Sequence, residues 1–252
     1  MVITSRSNNK YKEIKRLIAS AKERKAAGLF VVEGSRACAE VPEDLLDTLC
    51  VSESYARSVF AKDAVIFSDE IFKSLSDTVN PQGVLAVAKQ PSYSLEEMID
   101  KASCETLFLI LDDIRDPGNL GTIIRTAEGA GAAGVILSPG CADIFSPKVI
   151  RSTMGSIFRV PFVSGDLKDA LTELKKKGVL IYALAPRADT YYNEEKYKGR
   201  CAFIIGNEAR GISEEAMGLA DKKIKIPMAG QVESLNAAIS AAVIMYGYKK
   251  WT

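Results

Sequence analysis

Three short polar clusters, each following an apolar run, carry the residues of this chain best suited to chemistry. The first runs Asp116–Pro117–Gly118–Asn119–Leu120–Gly121–Thr122–Ile123–Ile124–Arg125. The second is Gly206–Asn207–Glu208–Ala209–Arg210–Gly211–Ile212–Ser213, and the third extends from Ile226 through Pro227, Met228 and Glu233 to Ser234, Leu235 and Asn236. Together they offer amides, carboxylates, hydroxyls and guanidinium groups but no imidazole, because the sequence contains no histidine. That absence excludes Ser-His-Asp and Cys-His hydrolases and every His-ligated metal or haem site. Taken singly, each cluster reads as local structure. Pro117 and Gly118 set a turn and Asn119 caps the helix that follows; Ser213 caps a helix with Glu214 and Glu215 in its first turn; the third is a loop ending in a serine cap. Arg125 falls near the face of Gly121 and Thr122, within reach of the first loop's mouth.

The elements that must hold these clusters alternate regularly. Strands are expected at Leu107–Leu111, Val135–Leu137, Arg159–Val163, Val179–Ala183, Ala202–Ile205 and Lys223–Ile226. Helices are expected from about Leu120, around Pro147–Met154, over Leu167–Lys177, from Ser213, and from about Ser234 to Lys249. Short apolar runs alternating with helices predict an α/β fold with a mostly parallel sheet covered on both faces. In such sheets ligands sit outside the carboxyl ends of the strands, where all three clusters fall.

The first third differs. Arg6, Lys10, Lys12, Lys15, Arg16, Lys22, Arg24 and Lys25 face only Glu13 and Glu23. Tyr11, Ile14, Leu17, Ile18 and Ala21 have helical spacing, so the cations fall on the other faces and beyond the helix end. The patch reads either as a solvated face or as a phosphate-tracking surface formed by Lys12, Lys15, Lys22 and Arg24. Strands follow at Leu29–Glu33, Leu49–Val51, Ala64–Phe67 and Val84–Val87, with a helix from Ser35. The punctuation Gln90–Pro91–Ser92–Tyr93–Ser94 places a domain boundary near residue 95, giving domains 1–95 and 96–252.

Composition narrows the class further. At about 150 residues per domain, 252 residues make one large or two small domains. The 33 Lys and Arg against 32 Asp and Glu exclude a uniformly basic coat, leaving only local patches. Five scattered cysteines without a CxxC pair predict reduced, mostly core thiols in a cytoplasmic protein, with no metal. The N-terminus lacks a signal-peptide apolar run, and Ala237–Tyr246 is far shorter than the ~20 residues of a membrane span. Gly129–Ala130–Gly131–Ala132–Ala133–Gly134 matches GxGxxG but closes a helix instead of opening one, so it supports no dinucleotide site.

In combination the clusters resemble a family. "DPGNLGTIIRTAEGAG", "IIGNEARGIS" and "IPMAGQVESLNAAISAA" resemble the three signature motifs of the SpoU/TrmH branch of the SPOUT methyltransferases. The basic start, with Ser5, Asn9, Lys12 and "GLFVVEGSRACAE", is similar to the smaller ribosomal-protein-like RNA-binding domain often fused in front. The resemblance implies methyl transfer from S-adenosylmethionine to a ribose 2′-hydroxyl in RNA, by a homodimer joined through a C-terminal domain with a trefoil knot. It implies a catalytic set of Asn119, Arg125, Glu208, Ser234 and Asn236. Cofactor contacts would come from Gly206, Ile226 and Leu235, largely through the main chain, with Leu184 and Met228 beside them. Lys148 and Arg151, in the Ser146–Ser156 segment, would help bind RNA, unless that segment is an ordinary amphipathic helix.

A sulfonium-bound methyl carbon is already electrophilic, so no metal is required. Alignment and a destination for the hydroxyl proton must be supplied. Arg125 is the family's proposed base, although a guanidinium normally stays protonated. The other route has Arg125 stabilise developing charge while the proton leaves to water or Glu208. The resemblance, through the domain fused in front, favours large-subunit ribosomal RNA as the substrate. The alternatives are a transfer-RNA 2′-O-methyltransferase, a methyltransferase acting on a base nitrogen, and a catalytically silent RNA binder of the same fold.

Overall fold

The computed structural model of the chain describes residues 2–58 and 63–248. It contains two compact units, one formed by the chain up to Pro91 plus Asp143–Phe158, the other by Ser92–Ala142 and the chain from Arg159 onward. The first unit holds a mixed sheet of β1 (Val2–Ile3), β2 (Leu29–Glu33), β3 (Leu46–Ser52), β4 (Val65–Phe67) and β5 (Val84–Lys89), in spatial order β1–β4–β3–β5–β2. The pairs of β4 with β1 and β3 are parallel, whereas β5 runs antiparallel to β2 and β3. Around it lie α1 (Asn9–Ala19), α2 (Ala21–Ala27), α3 (Ser35–Ala39), α4 (Glu53–Ser58) and α5 (Asp69–Leu75). The spacing of Tyr11, Ile14 and Leu17 along α1 puts all three on one face, in a core with Phe67, Phe72, Leu75 and Leu85. Ser20 separates the first two helices, its hydroxyl accepting from Glu23 N, and Gly28 at φ +64° ends α2.

The second unit is built on β6 (Thr106–Asp112), β7 (Gly134–Leu137), β8 (Phe162–Ser164), β9 (Leu180–Leu184), β10 (Thr190–Tyr191), β11 (Arg200–Gly206) and β12 (Lys222–Lys225). These lie in the order β10–β12–β9–β11–β6–β7–β8, and every pair is parallel. The helices after α5 are α6 (Leu95–Asp100), α7 (Pro117–Gly129), α8 (Pro147–Thr153), α9 (Leu167–Lys176), α10 (Glu214–Leu219) and α11 (Ala237–Tyr248). All of β6 is buried, as a central parallel strand must be. Leu167, Ala170, Leu171 and Leu174 of α9 pack in one cluster with Ile110, Ile136, Ile181 and Ile204 of the sheet. From β6 the chain builds outward through β7 and β8, then returns to the other side with β9 and β11. The carboxyl end of the β6–β11 pair is therefore the topological switch point.

Several sequence expectations shift. β8 begins at Phe162 instead of Arg159, Ile226 lies just past β12, and α11 begins at Ala237 instead of Ser234. Lys249, the expected end of that helix, lies outside the described residues. β1 and β10, two residues each, are too short to leave a periodic signal. Helix α7 ends at Gly129, and Gly131 adopts φ +62° in the reversal expected of the glycine run.

The segment Asp143–Phe158, which carries α8 between β7 and β8, belongs to the first unit, so its chain is cut at three places rather than at one near residue 95. The rings of Phe145 and Phe158 lie 4.9 and 6.0 Å from that of Phe30. Arg24 corrects an expectation here. Only 5 % exposed, it donates from Nε and Nη2 to Asp143 Oδ2 at 2.9 and 2.5 Å, and from Nη1 to the Leu17 and Ile18 carbonyls. With its donors engaged inside the unit, it is a structural residue and not an RNA contact.

Candidate active site

Loops that follow four neighbouring strands, β12, β9, β11 and β6, converge on the candidate site. Helix α7 starts at Pro117, and Asp116 is its cap: its Oδ1 accepts from Asn119 N at 2.8 Å. This corrects the expectation that Asn119 caps the helix. Proline at the first helical position marks the residue before it as the cap, which leaves the Asn119 side chain available. At α11 the cap is Asn236, not Ser234. Its Oδ1 accepts from Ala238 N at 2.9 Å and Ile239 N at 3.3 Å.

These two helix starts are joined by a hydrogen-bond chain of fixed polarity. Because Asn236 Oδ1 must accept from backbone amides, its Nδ2 faces outward and donates to Asn119 Oδ1 at 3.0 Å. Asn119 Nδ2 must then be the remaining donor, and it reaches Glu208 Oε1 at 2.5 Å. Every amide orientation thus follows from the cap of α11, and the chain ends on a carboxylate. Glu208 Oε2 has no partner among the described residues.

The loop that carries Glu208 is held by side chains the sequence analysis did not single out. Asn207 exchanges backbone bonds with Gly211, accepts on Oδ1 from Ala209 N and Arg210 N, and donates from Nδ2 to the Asp113 carbonyl at 2.8 Å. Asp112, buried at the end of β6, accepts from Ser213 N at 2.8 Å. The available signal was a pair of acids closing an apolar strand. Gly206 is needed for close approach: a Cβ there would lie 2.3 Å from the Gly211 carbonyl carbon and 2.4 Å from Ile212 N. Ser213 does cap α10, accepting from Ala216 N.

Beside this chain opens a cleft of about 500 Å³. All five residues expected to contact the cofactor line it: Leu184, Gly206, Ile226, Met228 and Leu235. Glu208 and Ser234 also line it, while Asn119 meets it through its bond to Glu208 and Asn236 through its bond to Asn119. Arg125 does not. It stands exposed on α7, outside the lining, and its side chain makes no hydrogen bond or ion pair among the described residues.

The expected RNA-contacting residues all fall in the first unit. Lys12 and Lys22 are exposed and Lys15 half-buried, whereas Arg151 is bound to Asp77 at 2.8 Å. Lys148 projects from α8 as an exposed residue. Only Cys50 and Cys201 are buried; Cys104 is exposed, so the expectation of mostly core thiols holds in part. Burial pushes the Cys38 and Cys50 thiols up to about 12 and Cys201 to about 11, which leaves them poor nucleophiles at neutral pH. Among the described residues, no cluster of three or more Cys, Asp or Glu could hold a metal ion. None of their helices is long and apolar enough to cross a membrane.

Comparison with known proteins places this geometry in context. Residues 106–246 match the SpoU rRNA Methylase family, and residues 8–86 match the MRM3-like substrate binding domain. The chain is 33 % identical over 257 residues to the 23S rRNA (guanosine(2553)-2′-O)-methyltransferase RlmP of Bacillus subtilis, covering 97 % of both chains. An AdoMet-bound rRNA methyltransferase from Sinorhizobium meliloti shares its fold with a TM-score of 0.85 and 30 % identity, over 98 % of this chain and 97 % of that one. The SpoU methyltransferase AviRb from Streptomyces viridochromogenes, in complex with AdoMet, matches with a TM-score of 0.84 and 27 % identity, over 96 % and 97 % of the two chains. With its three clusters drawn to one cleft at the switch point of a parallel sheet, the chain belongs to the SpoU rRNA methylase family.

Proposed function

We propose that the protein transfers a methyl group from S-adenosylmethionine to a ribose 2′-hydroxyl in large-subunit ribosomal RNA. The observation that carries this reading is the Asn236–Asn119–Glu208 chain beside a cleft built for a small cofactor. A volume of about 500 Å³ lies within the range of about 300–1,000 Å³ typical of such sites. Its apolar walls, Leu184, Ile205, Ile226 and Leu235, suit an adenosine ring, and the Gly206 cradle lets backbone groups approach it. S-adenosylmethionine, when bound, supplies a methyl carbon made electrophilic by its sulfonium.

The chain's own residues do the rest. Asn119 and Asn236 orient the sugar, and Ser234 adds a neutral donor from the cleft wall. Glu208 Oε2 accepts the 2′-hydroxyl proton as the oxygen attacks, a role favoured over a guanidinium base because Glu208 lines the cleft and Arg125 does not. Arg125 is then assigned to stabilising negative charge on the substrate.

The same proposal includes the family's trefoil knot, a cytoplasmic location, and substrate capture by the first unit through Lys12, Lys15, Lys22, Lys148 and Arg151. It also includes a homodimer formed through the second unit. Support for the dimer comes from α11, which is apolar on all sides. Ala237, Ala238, Ala241, Ile244 and Met245 are buried, yet Ile239 (52 % exposed), Ala242, Val243 and Tyr246 (47 %) form a second apolar stripe.

The test is methyl transfer from labelled S-adenosylmethionine to unmodified large-subunit ribosomal RNA, followed by nucleoside analysis. Label on a 2′-O-methylated nucleoside is expected. Label on a base alone, or none, overturns the reading.

A further inference from the structure

Six arginines lie in the second unit, and their side chains divide evenly. Arg115 is paired with Asp113, Arg159 with Glu128, and Arg200 donates to the Ala102 and Ser103 carbonyls. Arg125, Arg187 and Arg210 have no side-chain partner among the described residues, and two of these, Arg187 and Arg210, line the cleft while remaining exposed. They reach it from different loops, Arg187 after β9 and Arg210 after β11. We infer that Arg187 and Arg210 grip phosphodiester oxygens of the RNA on either side of the reactive ribose, a role that rests on the methyltransfer reading above.

Placement and chemistry both favour this ligand. Arg210 stands two residues after Glu208, so the two backbones are at most about 7 Å apart. Its own backbone is fixed, because Arg210 N donates to Asn207 Oδ1 and the 207–211 turn is closed by paired bonds. Only the guanidinium remains free. A ribose 2′-oxygen cannot approach Glu208 without bringing the phosphodiester borne on the adjacent 3′-carbon. A planar guanidinium, with its donors in a fork, matches two oxygens of that group. The walls beneath, Ile205, Gly206, Ile226 and Leu235, are apolar or main-chain, so these guanidinium groups are cations available to an anion entering from solvent. Glu233 also lines the cleft, so an arginine–glutamate pair gripping the zwitterionic end of the cofactor is the competing outcome.

The variants Arg187→Gln, Arg210→Gln and Arg210→Lys test the assignment in two assays on the whole chain. Filter binding of an in vitro large-subunit ribosomal RNA transcript, across a salt series, should show about tenfold weaker affinity for each glutamine variant. The slope of log affinity against log salt should be shallower by about 0.7 per variant, the single-stranded increment for one lost phosphate contact. Arg210→Lys should restore the slope but not the full affinity, since an ammonium cannot make the forked contact. Calorimetric titration with S-adenosylmethionine should give the wild-type affinity for all three. Unchanged RNA affinity and slope, or a weakened cofactor affinity, overturns the proposal. Arginine-dependent RNA binding by a wild-type protein that transfers no methyl group would sink the activity reading and leave the phosphate contact standing.

Discussion

Helices α7 and α11 both begin at the candidate site, and each must satisfy the orphan amides of its first turn there. They do so differently. At α7 the tasks are divided: Asp116 caps, and Asn119, three residues on, is left to bridge Glu208 and Asn236. At α11 one residue does both, since Asn236 caps with Oδ1 and reaches Asn119 with Nδ2. Stability and chemistry are therefore separable at the first helix start and fused at the second. A side chain committed to a cap has a fixed orientation, so the fusion also sets the direction of the whole hydrogen-bond chain.

The sharpest break of this comparison is Asn236→Ala. Losing the bridge should lower methyl transfer by about 10²-fold or more, as removal of a preorganised donor does elsewhere. Losing the cap should cost about 1 kcal/mol, a fall of roughly 2–4 °C in melting temperature. Asn236→Asp separates the two contributions. A carboxylate still caps, so thermal stability should hold, but it has no donor for Asn119 Oδ1 and activity should still collapse. Wild-type turnover in that variant, measured with labelled donor, would show that the bridge is incidental.

Asn119→Ala is the next largest effect and should be purely functional. Activity should fall by a similar factor, with melting temperature within a degree of wild type, because the cap of α7 lies elsewhere. A large loss of stability would mean that the tasks at α7 are not divided. Asp116→Ala should give the mirror image: about 1 kcal/mol less stable, with most of its turnover kept.

Much of this was legible in the sequence because parallel α/β sheets put function after strands, and apolar runs mark strands plainly. The three loops, the sheet class and the lining residues Leu184, Gly206, Ile226, Met228 and Leu235 follow from that rule and the motif resemblance. The identity of each cap does not. Asp116 and Asn119 are both good caps within four residues, and only the fixed φ of Pro117 decides between them. Arg24 read as one more surface cation because its partner, Asp143, is 119 residues away. Nothing in local composition signals a pairing at that separation, nor that Asp143–Phe158 would leave the fold of its neighbours in sequence for the first unit.

The smallest effect is the finest test of the division at α7. Asp116→Asn keeps an acceptor of equal capping strength, so the Asn119 amide remains satisfied and only the negative charge at the helix start is lost. That charge is worth about 0.3–1 kcal/mol against the helix dipole at an exposed site. Melting temperature should fall by no more than roughly 4 °C, and by less in high salt, while methyl transfer stays at the wild-type level. The two helices would then both begin on an amide cap, yet only Asn236 would be needed for catalysis. If turnover dropped with the charge, Asp116 would be acting on the substrate as well as on the helix, and the contrast between the two helix starts would be one of degree.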